Sequence, residues 1–152
     1  MKIKIIFTLL ASISLVGCGS DSDSGSVVLT PVSELEESND DFQSAQTIEL
    51  NSEVSGTIAE EVDPEDFFKV VDFPRGKVEI RLTGVDTAQQ NSEDAPLDVD
   101  VDVFKESLEI LESSYTNENE ESISTTLDES GTVYVKVSVF EGGGTYTLSV
   151  YQ

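Results

Sequence analysis

Histidine and tryptophan are absent from the 152 residues, and cysteine occurs once. Eight lysines and arginines stand against 31 aspartates and glutamates, a net charge of −23. These scarcities remove whole classes of chemistry. Without histidine there is no Ser-His-Asp or Cys-His nucleophile, no imidazole-ligated zinc and no ordinary proton shuttle near neutral pH. Without clustered basic residues no counterion release drives binding to nucleic acid, whose phosphates so acidic a chain repels. Nor does the apolar run at residues 5–16 reach across a bilayer: as a helix it rises about 18 Å, against roughly 30 Å of hydrocarbon. What remains is oxygen chemistry from carboxylates, amides and hydroxyls, which suits hard cations such as calcium. At 38% hydrophobic, the chain still carries enough apolar side chains for the core of one domain.

The N-terminus reads MKIKIIFTLLASISLVGC, with two lysines, then the apolar run, then a small residue before the only cysteine. That order is a secretory signal rather than a spanning helix. Leu15-Val16-Gly17-Cys18 resembles the lipobox of bacterial lipoproteins, which implies cleavage after residue 17 and acylation of Cys18, palmitate among the chains. Acylation also accounts for a lone cysteine in an exported chain, which would otherwise be an unpaired, reactive thiol. Several acyl chains, at about 0.8 kcal/mol per buried methylene, hold a protein on a lipid bilayer almost permanently. Gly19, where an aspartate would signal retention, implies by the same resemblance the outer membrane of the cell envelope. Residues 18–33 then read as the lipidated cysteine and a flexible tether rich in Ser, Asp and Gly. Asp21, Asp23 and Gly25 echo a calcium loop there, but the remaining acidic ligands of such a loop are missing.

Residues 34–152 read as one domain, and its dominant signal is alternation. Val78, Ile80 and Leu82 are apolar at every second position, as are Leu97, Val99, Val101 and Val103, and again Val133, Val135, Val137 and Val139. Period two is the mark of a strand with one buried face. Further strands are expected at 54–59, 66–72, 108–115, 122–127 and 145–151, with turns at Asp63-Pro64, Pro74-Arg75-Gly76 and Gly142-Gly143-Gly144. The one helical candidate is a single turn within 40–48, capped by Asn39. The expected fold is all-β, an antiparallel β-sandwich of about eight strands with Greek-key or jelly-roll connections; a closed barrel satisfies the same periodicity.

Acidic residues gather at 34–41, where tether meets domain, and again at 60–66, in a turn between strands. Loop carboxylates can supply calcium with its six to eight oxygens at about 2.3–2.6 Å, whereas without an ion they repel one another. Solvated acidic loops are the plain alternative. Taken in order, Glu37-Ser-Asn39-Asp40, Val54-Ser-Gly56-Thr-Ile58, Asp63-Pro-Glu-Asp66-Phe67-Phe68, Asp98-Val-Asp100 and Gly144-Thr-Tyr146-Thr-Leu148 resemble the bacterial pre-peptidase C-terminal domain. That β-sandwich module is appended to many secreted proteases and is related to the collagen-binding domains of clostridial collagenases. The resemblance implies calcium ligands at Glu37, Asn39, Asp40, Asp63 and Asp66. Collagen-binding members carry a further Glu two positions before Glu37; this chain has Leu35 there, with Glu34 and Glu36 on either side.

Other residues have blander readings beside the sharp ones. Asp98, Asp100 and Asp102 share a strand face and suit either a second cation site or, more simply, a solvated face or pairing with cations such as Lys77 and Arg81 on a neighbouring strand. Of Phe67 and Phe68, one is expected in the core and the other over the acidic turn. Tyr134 and Tyr146 read as packing residues rather than as a contact surface. No catalytic pair of carboxylates across a cleft is indicated. The expected function is non-enzymatic: a membrane-anchored, calcium-stabilised binding or accessory module for an extracellular polymer or partner protein. The alternatives are a protective envelope lipoprotein without a ligand and a protease-associated inhibitor.

Overall fold

Every alternating segment becomes a strand, and the computed structural model, which describes residues 27–35, 38–86 and 97–152, contains no helix among them. Ten strands follow in order: β1 (Thr30–Ser33), β2 (Gln46–Ile48), β3 (Ser52–Ala59), β4 (Glu65–Phe73), β5 (Gly76–Asp86), β6 (Asp98–Lys105), β7 (Ile110–Ser114), β8 (Glu120–Leu127), β9 (Gly131–Glu141) and β10 (Gly143–Tyr151). They form two five-stranded sheets, ordered β1-β3-β10-β5-β8 and β2-β4-β9-β6-β7. The sandwich expected from the sequence is present, and β3 to β10 correspond to the eight expected strands. Neither sheet closes on itself, which settles the choice against a barrel.

The first two strands depart from expectation. β1 and β2 lie parallel to β3 and β4, so the sheets are mixed rather than purely antiparallel. β1 falls inside the stretch read as tether: the Thr30 N–H donates to the Asn51 carbonyl at 2.7 Å, and Val32 lies beside Val54. The ordered body therefore starts ahead of residue 34. β2 falls inside the expected helical turn. There the Asp41 carboxylate accepts from the Gln43 N–H at 2.8 Å and the Ser44 N–H at 2.7 Å, fixing a tight turn that sends the chain into a strand. Cys18 and Glu37 lie outside the described residues.

The inward faces carry the core. Val54 and Ile58 from β3, Val78, Ile80 and Leu82 from β5, and Leu148 and Val150 from β10 meet Phe68 and Val70 from β4, Val99, Val101 and Val103 from β6, and the four alternating valines of β9. A second, smaller apolar cluster sits on the outer face of the β4-β9-β6 sheet. Phe42 packs edge-on against Phe67 at 4.7 Å, Phe104 at 4.9 Å and Tyr134 at 5.5 Å between ring centroids. Phe68 is thus the core member of its pair. Phe67 faces the other way, under the loop of residues 38–45.

Asp102, on that same outer face, is fully engaged rather than solvated. It accepts from the Ser113 hydroxyl at 2.5 Å and from Tyr115, and pairs with Lys136 at 3.1 Å. The cation it meets is therefore on β9. Lys77 and Arg81, expected as its partners, belong to the other sheet and pair with Glu79 and Glu120. The chain enters the sandwich at the end that carries Asn51 and Gln152. The β3–β4 and β9–β10 turns lie at the other end, tied by the Glu60 N–H donating to the Gly142 carbonyl at 3.1 Å.

Candidate metal centre

On β4 the residues that share the core-facing side are Asp66, Phe68 and Val70, all fully buried. An aspartate in that register takes a carboxylate into the space between the sheets, where it needs a partner. None is made: Asp66 is 0% exposed, and neither of its carboxylate oxygens has a hydrogen-bond partner. What stands around it is more oxygen. Carboxylate oxygens of Glu34, Asp63 and Asp66 all lie within 4.8 Å of one another. The buried Asn39 Oδ1 and the Tyr146 hydroxyl are likewise unpartnered.

Each member is held by local structure. β1 delivers Glu34 by pairing with β3, and its Oε2 accepts from the Thr57 N–H at 2.9 Å while Oε1 takes a long bond of 3.5 Å from Asn39 Nδ2. The Asn39 carbonyl accepts from the Phe67 N–H at 2.7 Å, which ties the 38–45 loop to the strand bearing Asp66. Asp63 is fixed by its backbone, exchanging two 2.9 Å bonds with Ala59 across the β3–β4 turn. Tyr146 sits opposite Gly56 on one neighbouring strand and Gly84 on the other. A methyl at Gly56 would collide with both the Glu34 carboxylate and the Tyr146 ring. Gly56→Ala is therefore expected to lower stability by about 1–3 kcal/mol, the usual cost of overpacking, read as a shift in the urea midpoint.

The electrostatics follow from this crowding. Burial first, then the Glu34 carboxylate, push the Asp66 carboxyl up to about 9, with the adjacent Tyr146 hydroxyl opposing and Asp63 adding a smaller push upward. Burial, then Asp66 and Glu34, raise the Tyr146 phenol well above its ordinary range. Asp66 thus holds a proton at neutral pH unless a cation replaces it. Oxygens that share one ion at about 2.4 Å can lie no more than about 4.8 Å apart, and Glu34, Asp63 and Asp66 meet that limit. The donor set is oxygen alone, with no sulfur or imidazole, which fits calcium rather than zinc or copper. Glu34, Asp63 and Asp66, with Asn39 Oδ1, are the residues that would hold it. The ion would supply the charge that lets Asp66 ionise.

Of the residues expected from sequence, Asp63 and Asp66 come together and Asn39 joins them. Asp40 is exposed and lines an open cleft beside Asp63 and Val62. Glu34 takes the place beside them that Leu35 cannot, since Leu35 is exposed. Asp98, Asp100 and Asp102 do not form a comparable group among the described residues. Burial, then the charges of Asp98, Glu121 and Asp102, raise Asp100 to about 6, with Lys136 opposing.

No protein-family model matches the chain, and no curated protein sequence matches it. Among solved structures, the pre-peptidase C-terminal domain of a collagenase from Bacillus anthracis aligns with a TM-score of 0.56 at 20% sequence identity. The alignment covers 70% of this chain and 93% of that one. The two share the fold of that domain, a β-sandwich.

Proposed function

We propose that this chain is a non-enzymatic accessory module: a β-sandwich braced by one calcium ion, carried on a lipid anchor at Cys18 and presented to an extracellular polymer or partner protein. The observation that carries the calcium reading is the Asp66 carboxylate, buried and unpartnered on the core side of its strand, with Glu34 and Asp63 turned toward it. A residue so placed costs several kcal/mol unless it is neutralised or coordinated. The lipobox at residues 15–18 supports the anchor, and Gly19 supports the outer membrane. The chain enters at one end of the sandwich while the acidic turn sits at the other. An anchored domain would then hold its calcium end away from the bilayer. The shared fold with a protease-appended domain supports an accessory role, since neither the missing histidine nor the acidic turn offers a catalytic pair.

Calorimetric titration of the purified chain with calcium tests the first part. Saturable heat is expected in the native chain and none in an Asp63→Ala/Asp66→Ala variant; equal heats in both, or none in either, remove the site. Partition into detergent tests the second. The exported chain is expected in the detergent phase and its Cys18→Ala variant in the aqueous phase.

A further inference from the structure

Four strands end the two sheets, and three of them are poor templates for another strand. β1 has four residues, one of them Pro31, and β2 has three. β7 has five and follows a register shift in its pairing with β6. β8 is different: Glu-Glu-Ser-Ile-Ser-Thr-Thr-Leu over eight residues, without proline, lysine or arginine, and paired in unbroken register with β5 alone among the described residues. Proteins blunt their edges with short strands, prolines, lysines and bulges because an open edge recruits other strands. None of those four is present on β8; of the other such devices, it carries an inward-pointing charge at its start, Glu121, and residues 122–127 carry none.

Beside it the sandwich is open. Near Glu121 the two sheets are laced together, since that buried carboxylate accepts from Ser114, Thr116 and the Thr116 N–H. Toward Leu127 the lacing ends, and a groove of about 610 Å³ opens at the end of β8, between its turn into β9 and the β6–β7 turn, lined by Leu111, Leu127, Lys105, Glu106, Asp128 and Glu129. Lys105 already pairs with Glu109 at 3.2 Å, so the groove's free charge is negative. A second copy is disfavoured as its occupant: the copies carry −23 each, and antiparallel pairing of β8 with itself brings Glu120 toward the acidic Asp128-Glu129 turn.

We propose that β8 is a docking edge for an extended, basic segment of a partner polypeptide. The segment adds as a further strand to the β1-β3-β10-β5-β8 sheet, places an apolar side chain in the groove against Leu111 and Leu127, and sets lysines or arginines among the flanking carboxylates. Backbone pairing supplies affinity in this mode, and the alternate side chains supply selectivity. The proposal rests on reading the chain as a binding module, while the calcium site is tested separately by titration.

The probe is a ten-residue peptide alternating lysine and valine, added to the full chain at physiological salt, with amide exchange followed residue by residue. Slowing of at least tenfold is expected across residues 120–127. A peptide of equal charge interrupted by two prolines, and one alternating glutamate and valine, should each bind at least tenfold more weakly. A Ser122→Lys/Ser124→Lys variant, changed only at exposed positions, should weaken the lysine–valine peptide about tenfold while leaving the heat of calcium binding unchanged. Equal binding of the proline-interrupted peptide means adhesion by charge alone and overturns the proposal. Absence of binding, or protection on another strand, does the same. Slowing of 120–127 in the peptide-free chain that grows with protein concentration would give the edge to a second copy instead.

Discussion

Replacing Asp66 by asparagine is expected to abolish the response to calcium and, at the same time, to stabilise the calcium-free protein above neutral pH. For the native chain, free calcium at a thousand times its dissociation constant should add about 4.1 kcal/mol. For a domain of this size that corresponds to a rise in melting temperature of more than about 10 °C. The amide keeps the shape of the carboxyl group but needs neither proton nor cation to be neutral, so the like-charge crowding with Glu34 and Asp63 disappears. A residue that merely fills space would show the opposite pattern, weaker in chelator and still responsive to calcium. Thermal melts of both proteins in chelator and in excess calcium at pH 8 distinguish the two. An undiminished calcium shift in the Asp66→Asn protein would remove Asp66 from the centre.

The second large effect is on pH. An acid whose folded-state pKa lies above its unfolded value binds its proton more tightly when folded, so the stability it contributes is complete at low pH and lost as pH rises. For Asp66 the window runs from its ordinary value of 3.8 to about 9. In chelator, the native chain is therefore expected to lose stability progressively over that range, by up to about 1.4 kcal/mol per pH unit from this one group. Excess negative charge elsewhere pulls the same way, and the Asp66→Asn protein isolates the local part: its slope should be shallower by that amount. With calcium bound, the ionised form is the one coordinated, so the native slope should flatten or reverse. Urea denaturation at pH 5, 7 and 9, with and without calcium, reads all of these. Parallel slopes for the two proteins in chelator would show that Asp66 titrates normally.

Alternation was sufficient for β5, β6 and β9 because each has one face in the core, and a one-residue slip would turn Val99, Val101 and Val103 outward together. The two parallel strands were not legible. Thr-Pro-Val-Ser is too short to alternate and carries the proline and serine of a linker; it is a strand only because β3 lies beside it. Gln-Thr-Ile sits in a stretch whose spacing also suits one helical turn, and the Asp41 side chain decides against that. Asp63 and Asp66 lie in the acidic turn at 60–66, visible in the sequence, and the resemblance to the pre-peptidase C-terminal domain is what picked them out of it. Glu34 could not be singled out from Glu36 by spacing, since its position depends on β1 pairing and on a bond to Thr57, 23 positions away.

Composition and period thus determined the chemistry available to this protein and the layers it forms: an all-oxygen donor set, no imidazole, and strands with one apolar face. Which carboxylates share a space was decided only in three dimensions. Strand registry converts distance along the chain into contact, and desolvation acts on whichever groups that registry encloses. The same Asp66 in an exposed loop would be one more solvated charge among 31 acidic residues. Enclosed between the sheets beside Glu34, it needs a proton or a cation.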